Sequence, residues 1–285
     1  MSNLKIAIQK SGRLSENSQK MLAECGIKFS NGLNVLKTSA LNFPVDILFL
    51  RDDDIPQYVE QKVADIGILG ENMVFEKNKK VRIIDWLGFA ACRLSLAIPK
   101  EEQYTGPDFF INKRIATSYP RLLSDYLAGK KITAEIEEIS GSVEIAPGIG
   151  LADAICDIVS SGSTLYLNGL KEVETILKSQ AVLIASDTLD QEKEAILNKL
   201  IFRIRSLKNA RENKYILLNA PEEAIPSICR ILPGMKSPTI LPLAEKGWSS
   251  LHSVVREDEF WDRIDQLKAA GAEGILVIPI EKMIL

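Results

Sequence analysis

Short apolar runs alternate with polar loops and amphipathic stretches through the first two thirds of the chain. The runs fall at 4–8, 45–50, 65–69, 94–98, 114–117, 152–159 and 181–185, a length that suits strands better than helices. Helical periodicity covers 14–25, 55–61, 120–128 and 190–210. In the last of these, Leu197, Leu200, Ile201, Ile204 and Leu207 form one stripe, and Thr188 with Gln191 has capping-box spacing. This alternation predicts an α/β architecture. Beyond residue 210 the pattern becomes strand 215–219, helix 222–231, strands 238–243 and 251–255, helix 257–270 and strand 275–280. That βαββαβ order predicts a ferredoxin-like module.

Segment 106–180 carries strands and helices of its own, whereas 181–185 reads as a return to the first lobe. The expected fold class is therefore α/β, with a two-lobed core like that of periplasmic binding proteins and a C-terminal ferredoxin-like domain. Residues 1–105 plus 181–210 form one lobe, 106–180 the other, and 211–285 the last domain. Two lobes joined by a chain that crosses and returns make a hinged cleft, where ligands sit.

Composition narrows what the cleft can hold. A net charge of −3 over 285 residues and a pI near 5.5 give no general attraction to nucleic acid, so an anionic ligand must be met by local Lys and Arg. Cys25, Cys92, Cys156 and Cys229 are widely spaced and His252 is the sole histidine, which disfavours a zinc site, a disulfide scaffold and Ser-His-Asp chemistry. A reducing cytoplasm is the expected compartment. The chain has no run of about 18 apolar residues, and its start lacks the apolar core of a signal peptide, so no membrane span is expected.

The densest chemistry lies in GLADAICDIVSSGSTL, residues 150–165. Period-two alternation puts Asp153, Ile155, Asp157 and Val159 on one face of a buried strand. Ser160, Ser161, Gly162, Ser163 and Thr164 then offer hydroxyls and backbone N–H groups at a helix start, which favours an anion. The same five residues also suit an ordinary turn with a Ser or Thr cap. An Asp can accept both hydroxyls of a ribose while the loop beyond it grips a 5′-phosphate, and in this the residues resemble a phosphoribosyl pyrophosphate loop. The commonest phosphoribosyltransferase pattern, two adjacent acids before the loop, is absent.

Other segments end strands in the same manner. Lys10, Gly12 and Arg13 lie in a polar loop before a helix, a second anion site or a solvated turn. Arg51 precedes Asp52, Asp53 and Asp54, which either cap the helix that Pro56 opens or bind hydroxyls or Mg²⁺. Glu71 follows a turn whose glycines, Gly67 and Gly70, let backbone approach a ligand. Arg93 opens an apolar strand and needs either an internal partner or a substrate. Tyr119 and Glu144 follow hydroxyl-bearing turns that serve as caps or cleft contacts.

Taken in order, LKIAIQKSGRL, VDILFLRDDDIP, ADIGILGEN, CRLSLA, RIATSYP, GSVE, GLADAICDIVSSGSTL and SPTILPLA resemble the long form of the ATP phosphoribosyltransferase family over nearly the whole chain. The resemblance implies the first step of histidine biosynthesis, in which N1 of ATP attacks C1 of phosphoribosyl pyrophosphate and pyrophosphate leaves with its Mg²⁺. It implies no metal ligation by protein side chains alone. It places Lys10, Arg13, Arg51 and Glu144 in the catalytic set, with Gly12, Asp53, Glu71, Arg93 and Tyr119 among the substrate contacts. Asp153 and Asp157 would then hold the ribose and Ser160, Ser161, Gly162, Ser163 and Thr164 the 5′-phosphate. It further implies feedback by L-histidine bound at Asn219, Thr239, Val254 and Gly274, and a dimer that becomes a hexamer when inhibited. The competing reading is a non-catalytic two-lobed protein that binds a small anion or amino acid.

Overall fold

Strands rich in Ile, Val and Leu build three sheets. The computed structural model describes residues 3–30 and 35–285. In chain order its elements are β1 (Leu4–Gln9), α1 (Arg13–Glu24), β2 (Lys37–Ser39), β3 (Val45–Leu50), α2 (Ile55–Glu60), β4 (Ile66–Gly70), α3 (Glu71–Lys77), β5 (Val81–Trp86), β6 (Cys92–Pro99), β7 (Arg114–Thr117), α4 (Pro120–Lys130), β8 (Glu135–Glu138), β9 (Ala154–Val159), α5 (Ser163–Leu167), β10 (Leu170–Ser179), β11 (Ala181–Ser186), α6 (Gln191–Glu212), β12 (Asn213–Pro221), α7 (Ile225–Ile231), β13 (Thr239–Pro242), β14 (Trp248–Arg256), α8 (Glu257–Ala269) and β15 (Glu273–Pro279).

The first sheet has the order β2-β3-β1-β4-β11-β5. β1 runs parallel to β3 and β4, and β11 returns antiparallel between β4 and β5. Leu4, Ile6, Ile8 and all of 181–185 are fully buried, because a central strand covered on both faces must be apolar throughout. The second sheet has the order β10-β6-β9-β7-β8. Strand β6 corrects the expected lobe boundary at 105: it pairs with β9 and β10, so the chain leaves the first sheet at 87–91. A run as apolar as CRLSLAIP carries no mark of which sheet will cover it.

Residues 1–198 form one compact unit and 199–285 a second, so the later boundary falls inside α6 and not after it. Asp190 Oδ1 accepts the Lys193 backbone N–H at 2.8 Å and caps this helix. The Thr188–Gln191 capping box therefore does not form; Thr188 Oγ1 accepts from Lys62 Nζ at 2.8 Å instead. Lys193 Nζ reaches the buried Asp65 carboxylate at 2.8 Å, whose other oxygen accepts the Lys5 N–H at 2.8 Å. The second unit has the sheet order β13-β14-β12-β15, the ferredoxin-like arrangement. Its core packs Ile216, Leu218, Ala220 and Leu251 against Ile228 and Phe260, which leaves Tyr215, Leu217 and Asn219 on the opposite face.

In the first sheet, Gly67 of β4 leaves room for α2 and β11 to pack closely. A β-carbon there would meet Ile55 Cγ2 at 2.6 Å and Val59 Cγ2 and Ile184 Cγ1 at 3.3 Å. Gly67→Ala is expected to lower stability by about 1–3 kcal/mol through overpacking. Urea denaturation checks this, and an unchanged midpoint would refute the close approach.

Candidate active site

The first lobe's contribution starts where β1 and β3 end together. Gln9 lies opposite Leu50, and the Lys10 N–H donates to the Leu50 carbonyl at 2.7 Å, so Lys10 and Arg51 leave the sheet at the same edge. Gly12, at φ 87°, turns the chain into α1, a backbone shape that favours glycine. Lys10, Gly12 and Arg13 are exposed. A cavity of about 740 Å³ opens beside this edge, between the two lobes. Arg51, Asp52, Asp53 and Lys77 line it from the first lobe; Ser118, Tyr119, Glu138 and Asp157 line it from the second.

Asp157 is a half-buried carboxylate in the wall of this cavity. Burial, with Glu144 adding to it and the Ile158 N–H opposing it, pushes its carboxyl up to about 6; that N–H donates to Asp157 Oδ1 at 2.8 Å. Burial and the neighbouring Asp53 likewise raise Asp52. The Tyr119 phenol is raised by burial and by the Asp157 and Asp52 charges that face it from opposite lobes. Tyr119 also packs against the apolar clusters of both lobes. The helix-cap reading of the Asp52–Asp54 run fails. The N-cap residue is Asp54, which makes no side-chain capping bond, while Asp52 and Asp53 turn to the cavity.

The loop after β9 has the expected form. Gly162 adopts φ 80° ahead of α5, and the Ser161 and Ser163 hydroxyls lie 2.9 Å apart. N–H groups in the first turn of α5 have no partner within the helix. Asp153 is a correction. It precedes β9, where its Oδ2 accepts the Arg114 N–H at 2.8 Å and lies 3.8 Å from Arg114 Nε. Four residue steps along the strand, about 13 Å, separate it from Asp157, so the two carboxylates do not share one site. Arg93 is a second correction: it is held by Glu172 at 2.5 Å and donates to the Ser160 carbonyl at 3.2 Å. Glu71 accepts the Trp86 indole N–H at 2.9 Å. Both border a second cavity, of about 440 Å³, that also touches Ser160.

Sequence reasoning named Asp52 only as part of its acidic run and overlooked Lys77 and Glu138. Lys77 sits in the last turn of α3, where a cation also suits the helix dipole and so gives no separate signal.

Family comparisons cover nearly the whole chain. The ATP phosphoribosyltransferase family model matches residues 51–206, and the model described as HisG, C-terminal domain matches 210–282. The ATP phosphoribosyltransferase of Cytophaga hutchinsonii is 61% identical over 281 residues, covering 99% of this chain and 98% of its own. The chain belongs to the ATP phosphoribosyltransferase family. The counterpart from Phocaeicola vulgatus is 55% identical, covering 99% of this chain and all of its own length. The solved ATP phosphoribosyl transferase of a HisG:HisZ complex from Thermotoga maritima superposes with a TM-score of 0.62 at 28% identity, covering 71% of this chain and 96% of that one.

Membership sets aside the non-catalytic binding protein. This phosphoribosyltransferase transfers the phosphoribosyl group of phosphoribosyl pyrophosphate to ATP, releasing pyrophosphate, in the first step of histidine biosynthesis. No helix among the described residues is long and apolar enough to cross a membrane. In the C-terminal domain of the family, Gly274 packs against Asn219, whose Nδ2 lies 3.5 Å from where a β-carbon would stand. Thr239 and Val254 line a cavity of about 320 Å³ with Tyr215 and His252.

The raised Asp157 carboxyl has a pH signature. Its protonated form favours the folded state, so the contribution is complete below about pH 4 and is lost as pH rises through about 6. Asp157→Asn keeps an acceptor for the Ile158 N–H and removes the charge. It is expected to stabilise the protein at pH 8 by up to about 2–3 kcal/mol, with little gain at pH 4. Thermal melts at both pH values test this, and an equal gain would refute the burial stress.

Proposed function

We propose that the cleft divides the reaction between its two lobes. In the second lobe, Asp157 accepts a ribose hydroxyl of phosphoribosyl pyrophosphate, and Ser160, Ser161, Gly162, Ser163 and Thr164 surround its 5′-phosphate with hydroxyl and N–H donors. In the first lobe, Lys10, Arg13 and Arg51 neutralise the pyrophosphate and the ATP phosphates, aided by the opening turn of α1 after Gly12. Asp53 and Tyr119 complete the walls, with Glu144 acting on Asp157 through its charge and Glu71 bordering the second cavity. The N1 lone pair of adenine forms the bond to C1 while the C1–oxygen bond breaks and pyrophosphate departs with its electrons. The ribose passes through an oxocarbenium-like state, so positioning and charge complementarity do most of the catalytic work. The observation that carries this reading is the meeting of Asp157 and Tyr119 with Arg51 and Asp53 around one cavity.

Mg²⁺ enters, in this reading, as part of the pyrophosphate substrate. Its charge suits a cavity lined by Asp52, Asp53 and Asp157. L-Histidine is the proposed inhibitor, seated on the sheet face that carries Asn219, Thr239, Val254 and Gly274. The protein acts in the cytoplasm as a dimer that assembles into a hexamer when inhibited.

Thr164→Val removes one hydroxyl from the phosphate cradle. It is expected to raise KM for phosphoribosyl pyrophosphate by about tenfold or more, as for a hydrogen bond to a charged group, with KM for ATP little changed. Initial rates of phosphoribosyl-ATP formation test this; equal rises would refute the loop's role. Asn219 is neutral where a carboxylate would meet the ammonium of histidine. Asn219→Asp is therefore expected to strengthen histidine inhibition about tenfold, read as a fall in the half-inhibitory concentration. No change would remove Asn219 from the effector site.

A further inference from the structure

Arg93 and Glu172 form a brace whose third arm reaches the phosphate loop. Arg93 Nε and Nη2 donate to the two Glu172 oxygens, each at 2.5 Å, the two-pronged geometry that fixes a guanidinium most firmly. Nη1 is left to donate to the Ser160 carbonyl at 3.2 Å. Glu172 is itself fixed, because its Oε1 also accepts the Ser95 hydroxyl at 2.8 Å and the Thr175 hydroxyl at 3.4 Å. The edge strand β10 has a register irregularity between Glu172 and Glu174. Such a bulge re-aims a side chain. Ser95 stands opposite Asp157 across β6 and β9, so the brace lies one side chain away from the cleft carboxylate.

The effect on the loop follows from peptide geometry. Ser160 is the first residue after β9, and its carbonyl and the Ser161 N–H belong to one rigid trans plane, pointing in opposite directions. Holding the carbonyl toward Arg93 aims the Ser161 N–H away from it and fixes how the loop begins. We infer that Glu172 is a positioning residue that acts through Arg93 to set the Ser160–Ser161 peptide and with it the phosphate-binding form of residues 160–164. The inference rests on the reading of that loop as the cradle of the 5′-phosphate.

The full-length protein carrying Glu172→Gln tests it, with KM for each substrate and the melting temperature measured together. KM for phosphoribosyl pyrophosphate is expected to rise about tenfold, while KM for ATP stays within about twofold of the unchanged protein. Ser95→Ala, which loosens Glu172 without touching Arg93, is expected to move the same constant in the same direction by less. The reversed pair, Arg93→Glu with Glu172→Arg, rebuilds the ion pair but leaves no donor at position 93. Recovery of melting temperature without recovery of KM supports positioning. Recovery of both, equal rises in the two KM values, or a lowered melting temperature with unchanged KM would show a purely structural pair and overturn the inference. Thr164→Val serves as the control: if it leaves KM for phosphoribosyl pyrophosphate unchanged, the loop reading itself fails. If it acts and Glu172→Gln does not, only the brace fails.

Discussion

The return of β11 into the first sheet is the constraint from which the site follows. The chain crosses between the lobes twice, near 87–91 and near 179–181, and the crossings are tied to each other. The Leu87 N–H donates to the Ala181 carbonyl and the Ala181 N–H to the Phe89 carbonyl, each at 2.9 Å, while the Gly88 N–H donates to Gln180 Oε1 at 3.1 Å. A pair of short, hydrogen-bonded segments keeps the lobes facing each other and still lets the angle between them change. Without that return, β5 would have no partner in the first sheet, and Arg51 and Asp157 would belong to independent domains.

The electrostatics of the cleft explain how an acidic protein handles polyanionic substrates. Cations stand at the end of the first sheet as Lys10, Arg13 and Arg51, while carboxylates crowd the cavity wall as Asp52, Asp53, Glu138 and Asp157. The net charge of −3 is thus no guide to the local field. Burial raises the Asp52 and Asp157 carboxyls, and one neighbouring carboxylate adds to each shift, Asp53 for Asp52 and Glu144 for Asp157. An active site holds such stress because the groups that relieve it are those of the substrate.

Strand identity was legible wherever the apolar run was bounded by turn residues. Residues 114–117 were read with their observed limits, and the βαββαβ order of the last domain was plain from its spacing. Four strands left no clear pattern: β2 is only three residues long, β5 and β10 mix charged and apolar positions, and β8 reads Glu-Ile-Glu-Glu. Sheet membership was less legible still, since β6 is apolar enough to suit either sheet. At the site, loop chemistry after β9 was visible because Ser, Thr and Gly cluster there. Asp153 misled because period two was carried one residue before the strand begins, where a backbone N–H claims the carboxylate. Glu172 gave no signal, because its partner lies 79 positions away.

The two edges of the second sheet also bear on assembly. β10 is ten residues long, and an unpaired edge of that length would invite a strand from a neighbouring chain. Its irregular register and its charged residues, Lys171, Glu172, Glu174 and Lys178, spoil the flat hydrogen-bonding rim that such addition needs. β8 closes the other edge with Glu135, Glu137 and Glu138. Neither edge therefore offers this sheet a flat rim that a strand from another chain could extend.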